Sequence, residues 1–358
     1  LVQRRSDPVA GEVRRPMVIV NAVSLLFDRT LELMRADEPV DRVIRMRVRS
    51  LSTHQHALKF QFKIPDGLAA DSLLDTLTLG PLETRDVSIH VRGRVAKGRI
   101  PMTALATEGS GLSYGSGIIA LDYEHIPRIV VTRSSGLWAQ GVDVAIPTGV
   151  HVAYVPGVSD DVAPVLQQLD VPVTMIEPER VGSADLKPFQ IIVLGPRAYT
   201  RTPSLAALSN RLEEFARAGG TVVVQYGQQE MTRKGMLPFP IEIAQQAQRV
   251  TLEDAPVRVV DPSARVLNAP NRITNADFAD WVQERALYMP SRADSAWRTV
   301  LEMNDPGEPP NRNSLLVARL GEGTYVYTTL SLFRQLPAGN EGAIRLFMNI
   351  LAAGQRAP

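Results

Sequence analysis

Residues 189–228, FQIIVLGPRAYTRTPSLAALSNRLEEFARAGGTVVVQYGQ, constrain the fold more than any other stretch of the chain. A continuous apolar run (Ile191, Ile192, Val193, Leu194) stops at Gly195 and Pro196. Leu205, Leu208, Leu212 and Phe215 then recur at spacings of three and four, the signature of one helical face. Gly219 and Gly220 end that helix, and a second apolar run, Val222, Val223 and Val224, begins at once. Two strands that are apolar on both faces and joined through a helix predict a βαβ crossover in a buried parallel sheet.

Other runs extend this pattern. Residues 150–155 and 171–176 predict strands on either side of a helix opened by Ser159, Asp160 and Asp161 and carrying Val162, Val165, Leu166 and Leu169. Residues 324–328 predict a closing strand, and residues 342–352 a last helix with Ile344, Phe347, Met348 and Leu351 on one face. The expectation for residues 148–358 is an open, doubly wound α/β sheet of flavodoxin-like type.

Residues 17–147 alternate with period two instead. Ile44, Met46 and Val48 share one face and Arg45, Arg47 and Arg49 the other; Leu58, Phe60 and Phe62 alternate with Lys59, Gln61 and Lys63; Val87, Ile89 and Val91 alternate with Ser88, His90 and Arg92. Such half-buried antiparallel strands, parted by Gly- and Pro-containing turns, predict an immunoglobulin-like β-sandwich. The arginine row 45, 47, 49 suits an acidic partner or lipid headgroups, or is a solvated face that discourages edge pairing. The Gly-rich GSGLSYGSG at 109–117 has no helix after it and predicts a hairpin, not a phosphate loop. Residues 1–16 carry four arginines and no apolar period, which predicts an extended linker; a start without methionine leads us to expect a cleaved signal or a domain upstream.

At 358 residues the chain has room for two domains. Its 39 basic and 38 acidic residues nearly cancel, which argues against general nucleic-acid binding. No stretch approaches 18 consecutive apolar residues, so no membrane-spanning helix is expected. With no cysteine, thiol nucleophiles, thiolate metal sites and disulfides are excluded. His54 and His56 lie two apart, but no third ligand accompanies them; a surface loop pair is expected and no metal. Thr274 and Asp277 predict a capped helix ahead of Phe278, Trp281 and Val282, on which Trp281 and Arg285 would meet four residues apart. Glu302, Asp305 and Glu308, among prolines, read as a solvated loop with no acid–base pair.

Several phrases carry a resemblance: YEHIPR (123–128), GVSDDVAPVLQQLDVPVTMIEP (157–178), IIVLGPRAYTRTPSL (191–205), RAGGTVVVQYGQQE (217–230), APNRITNADFADWVQERALY (269–288), LEMNDPGEPP (301–310) and GEGTYVYTTLSLFRQLPAG (321–339). Together they resemble the C-terminal region of large bacterial PIG-L-type deacetylases. In those proteins a zinc-dependent N-acetylglucosaminyl deacetylase domain precedes a β-sandwich and a ThuA-like, class I glutamine amidotransferase-like domain. The resemblance covers residues from about 120 onward, and the earlier part only by position and strand pattern. It implies that the deacetylase is absent here, because none of His54, His56, His90, His125 and His151 stands in a His-Pro-Asp-Asp phrase. It also places Gln225 where the amidotransferase nucleophile would stand, in Val224-Gln225-Tyr226-Gly227, and a carboxamide cannot attack a carbonyl. The histidine of that family would fall near Ser331 and Leu332, yet none follows His151.

Ligands of doubly wound sheets sit beyond the carboxyl ends of the strands. Asp160, Arg197, Tyr199, Gln225, Tyr226 and Arg334 are the candidates there, in a composition suited to a sugar or a peptide; a vestigial pocket filled by neighbours is the alternative. Arg45, Arg47, Arg49 and Trp281 are the candidate partner contacts. The expected function is a non-catalytic interaction and scaffolding unit without a cofactor, an accessory subunit of an extracytoplasmic or membrane-attached assembly. A glycan-binding tail of a deacetylase, or an enzyme acting at the strand ends, are the other classes.

Overall fold

The computed structural model describes residues 2–8, 11–72, 75–123 and 129–355, and it is rich in strand. The chain divides into two compact units, Leu1–Val142 and Asp143–Pro358, so the boundary falls a few residues ahead of Pro147.

In the first unit, β1 (Val2–Asp7) and β2 (Gly11–Pro16) pair antiparallel, with Val2 opposite Pro16. The segment read as a linker is thus a two-stranded ribbon. The following strands are β3 (Val23–Phe27), β4 (Leu31–Arg35), β5 (Val40–Ser50), β6 (His56–Lys63), β7 (Leu68–Ser72), β8 (Thr76–Leu79), β9 (Thr84–Gly93), β10 (Gly98–Glu108), β11 (Ser113–Tyr114), β12 (Ser116–Leu121), β13 (Ile129–Ser134) and β14 (Gly136–Val142). One sheet runs β3-β5-β9-β7 and another β4-β14-β10-β6-β8, with β11 on β10. Their inner faces share one core: Leu25, Met46, Val48, Ile89 and Val91 from the first, Leu58, Phe60, Met102, Ala104 and Ala139 from the second. The alternation in the sequence is the cause, since every second residue must leave water while its neighbours stay in it. Within the Gly-rich stretch, residues 109–112 form the β10–β11 turn, where Glu108 N–H donates to Leu112 O at 2.9 Å, and the rest enters β11 and β12.

In the second unit, β15 (Val152–Val155), α1 (Val162–Gln168), β16 (Val173–Met175), β17 (Ile191–Leu194), α2 (Ala198–Arg201), α3 (Ser209–Arg217) and β18 (Thr221–Gln225) follow in order. A long excursion then carries β19 (Ile241–Glu242), β20 (Gln248–Val250), β21 (Val257–Val259), α4 (Arg265–Asn268), β22 (Ala286–Met289), β23 (Arg292–Ala293), β24 (Arg298–Thr299) and β25 (Leu301–Met303). The hairpin of β26 (Leu315–Leu320) and β27 (Gly323–Thr328) brings the chain back, and α5 (Leu332–Gln335) and α6 (Glu341–Leu351) close it. The main sheet runs β16-β15-β17-β18-β27-β26-β24; the first five strands are mutually parallel, β26 pairs antiparallel with β27, and β24 pairs antiparallel with β26.

One face of this sheet (Ala153, Val155, Ile192, Leu194, Val222, Val224, Tyr325, Tyr327) packs with Leu212 and Ala216 of α3. The alternate residues Val152, Tyr154, Ile191, Val193, Val223 and Val326 are equally buried on the other face. Strands buried on both faces explain the unbroken apolar runs in the sequence. A buried asparagine pair ties α6 to the excursion: Asn349 Nδ2 donates to Val266 O (3.0 Å) and Asn271 O (2.7 Å), and its Oδ1 accepts from Asn271 N (2.8 Å).

Candidate functional site

The carboxyl ends of β15, β17, β18 and β27 lie side by side because the strands are parallel and in register, Val155 beside Leu194 and Leu194 beside Val224. Two layers of side chains gather there.

The inner layer is a buried chain of hydrogen bonds. Gln225, 2% exposed, donates from Nε2 to the Tyr154 hydroxyl at 3.1 Å. That hydroxyl donates to the Asp160 carboxylate, 2.8 Å from Oδ1 and 3.0 Å from Oδ2. Asp160 also accepts from the backbone N–H groups of Gly157 (2.9 Å) and Val162 (3.2 Å), so it organises the β15–α1 turn. Burial pushes the Asp160 carboxyl above the usual carboxylate range, against those three donors. The Tyr154 phenol is pushed well above its ordinary value, first by burial and then by the charge of Asp160. Gln225 Oε1 is buried with no partner among the described residues. Gly195 permits this approach, since a Cβ there would lie 1.9 Å from Asp160 Oδ2.

The outer layer is aromatic and cationic. Tyr226 stacks on Tyr288, ring centroids 6.2 Å apart and 9° between planes, and meets Phe333 at 5.3 Å. Arg249 lies over the Tyr288 ring at 5.5 Å and Arg334 over Phe333 at 5.0 Å. Arg334 Nε donates to Glu284 Oε1 at 2.7 Å. Arg197 sits at the start of α2 in the left-handed region, φ 54°, where its N–H donates to Tyr226 O at 2.7 Å. Burial raises the Tyr226 phenol, while the charges of Arg197 and Arg334 draw it back.

The structure therefore brings Arg197, Tyr226 and Arg334 together in the outer layer and Asp160 with Gln225 in the inner one. Tyr199 belongs to neither: it packs with Leu205, Leu212 and Tyr325 in the core, where burial pushes its phenol up to about 12. Tyr288, Phe333, Arg249 and Glu284 complete the outer layer; the first three were missed by sequence reasoning. Tyr288 closes the phrase RALY and Phe333 adjoins Arg334, but no local period points either residue at the strand ends.

The remaining candidates lie elsewhere. Arg45, Arg47 and Arg49 are exposed on β5, but β5 runs between β3 and β9, so the row does not guard an edge. Arg47 Nε reaches Asp86 Oδ1 at 3.0 Å. Trp281 is 1% exposed, a core residue whose Nε1 donates to Asp277 O at 3.0 Å. The capping box of Thr274 and Asp277 is present, but it opens only a 3-10 turn, Asn275–Phe278, so Trp281 and Arg285 are not on a helix. Arg285 nevertheless lies over the Trp281 ring at 5.8 Å, held there by Nη1 donating to Phe278 O at 2.7 Å.

His56 is not a surface loop residue. It faces the sandwich core 7% exposed, Nε2 2.6 Å from Ser52 Oγ and Nδ1 against the Glu108 carboxylate, which also accepts from the Tyr114 hydroxyl at 3.1 Å. His54 is exposed, and His125 lies outside the described residues. Glu302 is in strand β25 rather than a loop, bound by Arg258 at 3.1 Å and Arg312 at 2.7 Å, and Asp305 accepts from Thr251 N and Leu252 N. Among the described residues, no group of three His, Asp or Glu is placed to hold a metal ion, and no helix is long and apolar enough to cross a membrane.

No protein family matches the sequence, and no curated protein does. Solved structures match in part. The β-galactosidase from Rahnella sp. R3 is 13% identical over 58% of this chain and 31% of its own, with a TM-score of 0.35. The α-L-fucosidase isoenzyme 2 from Paenibacillus thiaminolyticus is 14% identical over 57% of this chain and 33% of its own, TM-score 0.37. The FixG-related protein from Vibrio parahaemolyticus is 10% identical over 32% of this chain and 98% of its own, TM-score 0.21. The chain thus spans about a third of the two glycosidases it matches, and similarities this distant carry no functional argument.

Proposed function

We propose that this chain is a non-catalytic interaction and scaffolding unit, an accessory subunit of a larger extracytoplasmic or membrane-attached assembly. In this reading the first unit is an immunoglobulin-like sandwich. The second is a doubly wound, amidotransferase-like domain related to the tail of PIG-L-type deacetylases, and the strand order β16-β15-β17-β18-β27 supports it.

The observation that carries the reading is the fate of Gln225. At the position that the resemblance gives to a nucleophile stands a carboxamide, buried and spent on Tyr154, and that phenol is spent on Asp160. Neither a nucleophile nor a base is offered at this strand end. The outer layer instead offers what protein interfaces use: stacked tyrosines and guanidinium groups of fixed orientation. The half-exposed Tyr288 ring also suits the face of a sugar, which keeps the glycan-binding tail as the second reading.

The test is a gentle affinity purification of the native protein, alongside a Tyr288→Ser, Arg249→Ser variant. Stoichiometric co-purifying subunits that are lost with the variant support the scaffold. A lone chain whose melting temperature rises with glycan, and not in the variant, supports the second reading. A turnover of the native chain that is lost in Gln225→Leu and Arg197→Ala while both variants stay folded would refute the assignment of this site as non-catalytic.

A further inference from the structure

A second concavity lies in the excursion, away from the strand ends. A cavity of about 530 Å³ is lined by Arg285 and Trp281, by the carboxylates Glu253, Asp254 and Asp280, and by apolar side chains. Its size falls in the range of small-molecule sites, roughly 300–1,000 Å³.

Its charges are arranged unusually. Arg285 is 5% exposed, yet among the described residues no carboxylate comes within 4.0 Å of its guanidinium, and Nε is buried without a hydrogen-bond partner. Among the described residues its head group makes one hydrogen bond, Nη1 to Phe278 O, and the Trp281 ring covers one side. A buried arginine so poorly matched costs several kcal/mol unless something else meets its charge. Three carboxylates line the same cavity. Glu253 accepts from Gln283 N at 2.5 Å, while Asp254 and Asp280 are exposed and have no partner among the described residues. Asp254 is near enough for its charge to act on Arg285, but not near enough to pair with it.

An anion alone would meet Arg285 but be repelled by three carboxylates, and a cation alone would meet the carboxylates but be repelled by Arg285. A ligand bearing both charges next to each other satisfies Arg285 and the carboxylates together. We propose that this cavity binds a free α-amino acid, its carboxylate on the Arg285 guanidinium, its ammonium towards Asp254 and Asp280, and an apolar side chain against Ala255, Pro256, Val257 and Phe278. A guanidinium–carboxylate contact would be made through the terminal nitrogens of Arg285, since Nε itself is buried. The site shares no residue with the strand-end layers, so it stands or falls independently of them.

The experiment is thermal melting and titration calorimetry of the full chain with free leucine, phenylalanine, lysine and glutamate. N-acetyl-leucine, which lacks the ammonium, and leucinamide, which lacks the carboxylate, serve as probes of each charge. Leucine or phenylalanine should raise the melting temperature and give a binding heat, and both blocked analogues should fail. Asp254→Asn, at an exposed position that leaves the fold intact, should weaken the dissociation constant by about tenfold, the equivalent of one lost charge contact. The proposal is overturned if none of the four amino acids binds, if N-acetyl-leucine or leucinamide binds as well as leucine, or if Asp254→Asn leaves the affinity unchanged.

Discussion

Replacing Tyr154 by Phe removes a single oxygen from the centre of the second unit, and the surroundings set the size of the effect. The hydroxyl joins a buried carboxamide to a half-buried carboxylate: it donates to Asp160 and accepts from Gln225. Asp160 keeps two of its three donors, Gly157 N and Val162 N, so it loses one hydrogen bond to a charge, about 1.5–3 kcal/mol. Gln225 Nε2 loses its only partner among the described residues while Oε1 is already unpaired there, which adds about 1 kcal/mol or more for a stranded buried donor. The variant should therefore be destabilised by about 3 kcal/mol.

Gln225→Leu, by contrast, deletes a carboxamide that was only half satisfied, and its cost should be within about 1 kcal/mol. In the double variant no amide is stranded, so its cost should fall short of the sum of the singles by about 1 kcal/mol. Urea unfolding can be read on the second unit alone in a Trp138→Phe background, because Trp281 and Trp297, 1% and 5% exposed, both belong to Asp143–Pro358. A loss below about 1 kcal/mol for Tyr154→Phe, or strict additivity in the double variant, would refute the view that Gln225 is locked through this phenol.

Three further outcomes follow from other sites. Asn349→Leu strands Val266 O, Asn271 O and Asn271 N inside the second unit and should cost about 3 kcal/mol or more by the same urea assay. Gly195→Ala would place its Cβ 1.9 Å from Asp160 Oδ2 and 2.5 Å from Gly157 N, so the second unit should be recovered misfolded or not at all, as read by limited proteolysis. The His56 hydrogen bond holds Glu108 below its ordinary value of 4.5; its contribution is complete above that pH and lost as the pH falls through the depressed value. Glu108→Gln should accordingly flatten the acid side of the first unit's stability profile, followed by Trp138 fluorescence; an unchanged profile would remove the histidine contact from the account.

Much of this architecture was legible because its causes are local. The β17–α3–β18 run declares itself through apolar strands and the spacing of Leu212 and Phe215 in α3, although Leu205 and Leu208 of the same period lie in a 3-10 turn, Pro203–Leu208, ahead of it. The sandwich strands declare themselves through parity. Parity even held information left unused: His56 precedes Leu58 and Phe60 by two and four residues, so it had to face the core with them, where Ser52 and Glu108 satisfy its nitrogens. The ribbon at Val2–Pro16 had no such signal, since cross-strand pairing of polar residues leaves no apolar period to read.

The excursion was harder for a different reason. Trp281 and Arg285 do meet, but not through helical spacing: the 3-10 turn ends at Phe278, Asp280 turns into the left-handed region at φ 56°, and a backbone carbonyl rather than a helix fixes the guanidinium. Tyr288 reaches Tyr226 in the same non-local way, because β22 is carried towards the strand ends by Leu287 N donating to Thr329 O at 3.0 Å. Local propensity cannot report a contact made by a loop held on distant carbonyls. Both candidate sites depend on such loops, so their chemistry comes into view only once the excursion is folded against the sheet.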